Sequence, residues 1–199
     1  MNDLKKKRII GVFKYTWPFY IVSAIIIGLS LNFIFGVTHR TPKYKTFTLF
    51  VSGEVRDHKK LKSDILEKYK DKELKSFSCT SVRYGDSTYD TKLSIAGYNT
   101  CDVLIIPVSK LDKVKVSAFG LALQDELITS YYSGYSFYSQ EEVKYGIKID
   151  KEKVSEYMTL PSEDCYMILS GKSPNLGIYS KTPNEERNIS LLVAKDWGM

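Results

Sequence analysis

Few residues in this chain have the types and spacing that chemistry needs. Its two histidines are His39 and His58. Serine–histidine catalysis would require His58 beside a nucleophile and an acid. Glu54 and Asp57 are near it in sequence, but there is no nucleophile elbow and no HExxH pattern. His58 therefore reads as a surface residue at a helix start. The stretch "SGEVRD" contains a glycine but lacks the lysine spacing of a phosphate loop. Cys79, Cys101 and Cys165 lack the close spacing of a zinc site. No enzymatic activity, metal or cofactor is expected. The residue types favour binding instead. "YYSGYSFY" brings Tyr131, Tyr132, Tyr135, Phe137 and Tyr138 close together. Exposed tyrosines supply amphipathic contact area for sugars, peptides or a protein partner. Tyr131, Tyr132 and Tyr135 are the expected contacts, since Gly134 interrupts any regular element. The alternative is that these rings pack over a sheet as a lid.

The elements that would position such residues can be read from the pattern of apolar residues. "YNTCDVLIIPVSKLDK" contains a run from Val103 to Ile106 that starts directly after Asp102 and stops at Pro107. A short unbroken apolar run of this kind suits a strand covered on both faces. Upstream, "TFTLFVSGE" reads as a strand ending at Gly53, and "KSFSCTSVRYG" as a strand ending at Gly85. Between them Leu61, Ile65 and Tyr69 form one apolar stripe on a charged helix. "DSTYDTKLSIAGYN" offers Asp86 or Ser87 as an N-cap, with Tyr89, Leu93 and Ala96 on one face. This alternation of strands and helices predicts βαβ units and a mainly parallel sheet. Downstream, "KEKVSEYM" reads as a short helix and "DCYMILSG" and "LGIYS" as two strands. "TPNEERNISLLVAKDW" reads as a closing helix that starts near Thr182 or Asn184.

In open α/β sheets, ligands meet the carboxyl ends of the strands. Those ends are Ser52, Gly53 and Glu54; Tyr84, Gly85 and Asp86; and Pro107, Val108 and Ser109. Ser52, Gly53, Glu54, Tyr84, Asp86 and Ser109 are thus the candidate rim for a ligand or partner.

The net charge of +6 invites a nucleic-acid reading, but its distribution argues against one. Residues 1–43 hold seven basic residues against Asp3 alone, and from Tyr44 onward basic and acidic residues balance. A nucleic-acid binder should carry its basic excess on the folded domain. Here the excess flanks "WPFYIVSAIIIGLSLNFIFGV", a stretch with no charged residue. Its length suits a hydrocarbon core of about 30 Å, and Tyr15, Trp17 and Tyr20 sit where aromatic rings favour the interface. The stretch exceeds the roughly 7–15 apolar residues of a cleaved signal and offers no good A-x-A site. It therefore reads as an uncleaved anchor. Lys5, Lys6, Lys7, Arg8 and Lys14 outweigh Arg40, Lys43 and Lys45, which predicts a cytoplasmic N-terminus. The expected layout is a basic tail (1–14), a transmembrane helix (15–38), a linker (39–45) and an extracytoplasmic α/β domain (46–199). Asn32 in the helix either reaches the interface or marks a contact with another transmembrane helix. Three cysteines are an odd number for an exported domain, which favours buried free thiols over a disulfide framework. A Cys79–Cys101 pairing stays open.

"TFTLFVSGE", a helix, "SFSCTSVRYGD", a helix and "NTCDVLIIP" together resemble the first lobe of the bacterial extracellular solute-binding proteins of ABC importers. The tail "CYMILSGKSPNLGIYSKTPNEERNISLLVAKDW" resembles that family's return segment. The resemblance implies one three-layer lobe of the solute-binding type. It also implies a role as an accessory or binding subunit of a transport system, with a permease subunit as partner. The chain departs from the family in two ways. Residues 46–199 suffice for one lobe where the family has two, and a transmembrane helix stands where the family has a lipidated cysteine. Loss of half the cleft leaves capture of a small solute open. The alternative is a stand-alone cell-envelope sensor or structural protein that uses its lobe for protein contacts.

Overall fold

An apolar helix of 36 residues, α1 (Asp3–Thr38), precedes an α/β lobe in the computed structural model. The structure describes residues 3–38 and 41–199, with side chains at 11, 15–36 and 41–199. His39 and Arg40 lie outside the described residues, as do the side chains of Lys5, Lys6, Lys7, Arg8 and Lys14. The chain divides into two units after residue 40, which we describe separately.

Within α1, Tyr15–Gly36 has a mean hydropathy of 2.1 over its most apolar window, and none of that window is buried. At about 1.5 Å rise per residue these 22 residues reach about 33 Å, enough to cross a membrane. Pro18 lies inside the helix.

The second unit begins with β1 (Thr46–Ser52) and the short β2 (Glu54–Val55). Helix α2 (His58–Lys68) is capped by Asp57, whose carboxylate accepts the amides of Lys59 and Lys60 at 2.9 Å each. His58 is thus the exposed first residue of a helix. Strand β3 (Ser76–Val82) follows. Then α3 (Tyr89–Lys92) and α4 (Tyr98–Thr100) flank a π-helical turn at Leu93–Gly97. Strand β4 (Val103–Pro107) leads into α5 (Val108–Leu111) and, further on, α6 (Asp125–Tyr131). Next come β5 (Phe137–Gln140), β6 (Val143–Lys148), α7 (Lys151–Val154) and β7 (Met158–Thr159). Strand β8 (Cys165–Leu169) and α8 (Ile189–Trp197) complete the lobe.

The main sheet has the order β3-β1-β4-β8-β6-β5. Strand β1 pairs in parallel with β3 and β4, as the alternating pattern predicts. Strand β8 then runs antiparallel to β4, and β6 and β5 continue antiparallel. The sheet is therefore mixed, with its parallel half built from residues 46–107. Strands β2 and β7 form a separate two-stranded ribbon.

All of β4 is buried, and its side chains alternate between two cores. Val103 and Ile105 join Phe47, Leu49 and Val51 on one face, under residues of α2 and α8. Leu104 and Ile106 join Phe50 on the other, under Tyr89, Leu93 and Leu111. Each aliphatic side chain buried in this way contributes about 1.5–3 kcal/mol.

Two sequence expectations need correction. "LGIYS" is a 3-10 turn at Gly177–Tyr179 and not a strand. Gly177 adopts φ 63° and its amide bonds to the Arg187 carbonyl, which folds the segment back on itself. The closing helix starts at Ile189, well after Thr182 and Asn184. The Asn184 side chain instead accepts the Glu186 amide in a local turn that competes with helix. All three cysteines are unpaired, so the structure has no Cys79–Cys101 bridge.

Candidate functional site

The order β3-β1-β4 places a topological switch point at the carboxyl ends of β1 and β4. The expected rim lies there, and the structure brings much of it together. A concavity of about 320 Å³ is lined by Gly53, Glu54, Arg83, Tyr84, Thr159 and Pro161, among others. Gly53 has a steric reason. A Cβ at this position would lie 2.4 Å from the Thr159 carbonyl oxygen, so only glycine lets the β2–β7 ribbon close over the strand end.

The polar groups of this rim are largely spent on each other. Ser52 is 0% exposed, and its hydroxyl shares a 2.6 Å hydrogen bond with Tyr89. Burial pushes the Tyr89 phenol well above its usual range, so it stays protonated. Ser52 is thus a core residue and corrects the expectation of a contact residue. The Ser109 hydroxyl lies 3.0 Å from the Tyr84 hydroxyl and donates to Glu163 at 2.8 Å. The Ser109 amide donates to the other Glu163 oxygen at 3.0 Å. Glu54 pairs with Arg83 at 2.7 Å, but both are exposed, so this ion pair holds little. Asp86 stands apart. It accepts the Thr88 amide and hydroxyl at 2.8 Å each and shapes the turn before α3. Lys151 secures the loop that carries Glu163 by donating to the carbonyls of Pro161, Ser162 and Glu163 at 2.7 Å each.

The tyrosine cluster is packed. Tyr132 is 0% exposed and donates to the Leu191 carbonyl of α8 at 3.1 Å. Tyr135 is half-buried and donates to the Lys195 carbonyl at 2.8 Å. Tyr131, also half-buried, accepts from Asn188 at 3.3 Å. The expectation of free rings therefore fails for Tyr132, since Gly134 (φ 84°) turns the chain back onto α8 and does not release it. Tyr131 and Tyr135 keep partial surface. Asn32 lies exposed on α1.

The amino-terminal ends of the same strands hold a site that sequence reasoning did not assign. Asp102 is 4% exposed, and its carboxylate takes four donors. One oxygen accepts the Thr48 amide at 2.7 Å and the Thr48 hydroxyl at 2.8 Å. The other accepts the Ser173 hydroxyl and, at 3.4 Å, the Asn175 amide. Burial raises the Asp102 pKa, and the hydrogen bonds from Ser173, Thr48 and Asn175 oppose that rise. Asn175 also donates to the Thr46 carbonyl at 2.9 Å. An aspartate directly before an apolar strand was the visible signal. Its partners come from 54, 71 and 73 residues away, which no local pattern reveals. Among the described residues, no group of three or more His, Cys, Asp or Glu could hold a metal ion.

No family model matches the chain, and no curated protein matches it. Among solved structures, the chain is similar to the ABC substrate-binding protein Lmo0181 from Listeria monocytogenes in complex with cycloalternan. The match has 10% sequence identity and a TM-score of 0.24, and it covers 56% of this chain. It covers 32% of that protein, so the chain spans about a third of its length. A likeness this slight carries no weight, and the α/β assignment rests on the strand order and pairing.

Proposed function

We propose that the chain is a membrane-anchored, extracytoplasmic module that serves a membrane transport system as an accessory or binding subunit. It acts by binding and not by catalysis. The observation that carries this reading is the apolar helix Tyr15–Gly36, none of whose most apolar window is buried, followed within a few polar residues by an α/β lobe. A side-chain surface of that composition is stable in lipid and costly in water. The basic residues before the helix support a cytoplasmic N-terminus. The resemblance of residues 46–120 and 164–197 to one lobe of a solute-binding protein supports the transport role. The self-paired polar groups at the carboxyl rim support an accessory role over capture of a small solute, because few of them remain free to bind one.

Mild detergent extraction of native membranes, capture of the full chain and mass spectrometry test this. A permease subunit should co-purify in constant proportion. A chain that emerges alone would remove the transport role and favour the stand-alone envelope reading. A reporter fused after Met199 should be active only if it works outside the cell. N-terminal sequencing of the membrane form should find residues before Trp17.

A further inference from the structure

The amino-terminal ends of β1 and β4 border a concavity of about 270 Å³. We propose that it is a binding site for a small phosphoester anion. The proposal rests on which groups in its wall are already committed.

Asp102 is not available to a ligand cation, because both its oxygens are occupied by protein donors. The Thr48 hydroxyl is spent on Asp102 and the Thr100 carbonyl, and the Thr100 hydroxyl donates to the Ala96 carbonyl. Asn99 gives one of its amide hydrogens to the Ser94 carbonyl. What remains includes two side chains that can only donate. Lys43 and Lys172 line the concavity, are exposed, and form no ion pair among the described residues. Thr41, Thr46 and Ser170 also line it, and among the described residues their hydroxyls donate to no protein acceptor, although the buried Ser170 hydroxyl accepts the Lys172 amide at 3.4 Å. The three hydroxyls can donate or accept, so the two ammoniums, which only donate, set the sign of the site and select an anion.

The shape of the anion distinguishes its kinds. A carboxylate accepts at two oxygens in one plane. A phosphoester carries four oxygens, non-bridging and ester, tetrahedrally around one centre and can accept from donors on several sides. Its organic substituent suits the threonine methyls and the Pro174 ring in the same wall. Asp102 beneath the floor adds little repulsion. It is 4% exposed, and donors gathered on both its oxygens offset its charge.

Two sources could supply this chemistry, a lipid headgroup or a soluble phosphoester. Chain length bears on the first. Thr41 and Lys43 follow Gly36, the end of the apolar segment, by five and seven residues. Seven extended residues span at most about 25 Å. If α1 spans a bilayer, an anionic headgroup lies within that reach whatever the orientation of the lobe.

The test uses the full chain in neutral detergent and in nanodiscs. Glycerol phosphate and inorganic phosphate are titrated calorimetrically into the detergent form. Nanodiscs of phosphatidylcholine with one-third phosphatidylglycerol, a composition chosen for the experiment, are analysed by native mass spectrometry for retained lipid. Saturable glycerol-phosphate binding is expected, competed by inorganic phosphate. It should weaken by about tenfold or more in the double variant Lys43→Gln, Lys172→Gln at unchanged melting temperature, the size expected for loss of two charge-assisted contacts. Lys172→Gln alone, an exposed change, should weaken it several-fold and serves if the double variant does not fold. Preferential retention of phosphatidylglycerol, lost in the variants, assigns the lipid source. Soluble binding without that preference assigns the soluble source. Absence of saturable binding of either probe together with no lipid preference overturns the site. So does binding that ignores both lysines. None of these outcomes depends on whether a permease co-purifies.

Discussion

At the carboxyl ends of β1, β3 and β4, Ser52 pairs with Tyr89, Ser109 pairs with Tyr84 and Glu163, and Glu54 pairs with Arg83. At the amino ends of β1 and β4, Asp102 gathers Thr48, Ser173 and Asn175 into a buried layer, but Lys43 and Lys172 above it have no partner among the described residues. Both ends hold hydroxyls and charges. They differ in what folds over them. The β2–β7 ribbon and the Lys151-pinned loop cover the carboxyl ends and bring partners to most polar groups there. The segment after β8 reaches only the inner layer at the amino ends and leaves the outer ring of donors free. Strand direction says where a crevice tends to form. Uncommitted donors say which crevice has capacity left for a ligand.

Strand β4 joins the two ends, with Asp102 before it and Ser109 shortly after. The largest effect is expected at its centre. Ile105 is 0% exposed, and Ile105→Asp would place an unpaired carboxylate inside the core beneath α2 and α8. A loss on the order of 5 kcal/mol or more should abolish the fold of the lobe. Circular dichroism of the full chain in detergent would then show helix from α1 and little sheet. An unaltered melting transition would mean that β4 is misplaced, and the comparison of its ends would collapse. Next in size comes Asp102→Ala. It removes the acceptor of the Thr48 amide and of the Ser173 hydroxyl, while the Thr48 hydroxyl keeps the Thr100 carbonyl and Asn175 keeps the Thr46 carbonyl. At about 1–3 kcal/mol per unsatisfied buried donor, a loss of about 2–4 kcal/mol is expected. Asp102→Asn should recover little, because its own N–H groups would face donors. A thermal unfolding shift equivalent to less than about 1 kcal/mol would show that the carboxylate does not organise this end.

How much of this was legible in the sequence follows from how local each signal is. The apolar run at 103–106 announced a doubly covered strand, because its neighbours are the two helical layers that any βαβ unit supplies. The reading of His58 as a helix-start residue was local in the same way, and Asp57 directly before it caps α2. The antiparallel half was harder, because "VKYGIK" has a glycine in mid-strand. Gly146 is tolerated there because Ile168 fills the space; a Cβ would come 2.7 Å from the Ile168 Cδ1. Glycine in "YYSGYSFY" suggested rings set free, yet the turn it permits folds Tyr132 onto α8. The direction of that turn depends on α8, which lies 59 residues away at Leu191. Ser109 was placed correctly at a strand end, but its partner Glu163 lies 54 residues on. Thus strand ends were readable and their commitments were not.

A smaller effect should separate closure from capacity at the carboxyl ends. Glu163→Gln keeps the shape but weakens a charge-assisted bond to the Ser109 amide and hydroxyl. A loss of about 1–2 kcal/mol is expected, and Ser109→Ala should cost about the same. Combining them should cost less than the sum, since both act on the bond between the Ser109 hydroxyl and Glu163. Additive losses in that double-mutant cycle would show that the Ser109–Glu163 contact does not close the rim. Neither change should alter phosphoester binding at the far end of β4, which makes the pair a control for the lysine variants.

The smallest expected effect concerns the thiols, and it probes how tightly each end is packed. Burial pushes Cys79 up to about 12 and Cys101 and Cys165 up to about 11, from an ordinary value of 9.0. Only the thiolate reacts rapidly with an alkylating agent, so a raised pKa slows labelling at any pH below the folded value. At pH 8 the folded protein should therefore label slowly at all three positions and rapidly once unfolded. As pH rises, the folded rates should climb only toward pH 11, beyond the point where the unfolded rates have levelled off. Cys101 and Cys165 share nearly the same raised value, so the pKa alone predicts similar rates for them. Their surroundings differ, because Cys101 lines the amino-end concavity and Cys165 begins β8 near the Lys151-pinned loop. If the amino end is the open one, Cys101 should label measurably faster than Cys165 in the folded protein, as read by peptide mass after timed quenching. A bound phosphoester should then slow Cys101 without changing Cys165. Equal rates, with no protection by glycerol phosphate, would mean that the concavity does not admit small solutes, and the difference drawn between the two ends of the strands would shrink to one of hydrogen bonding alone.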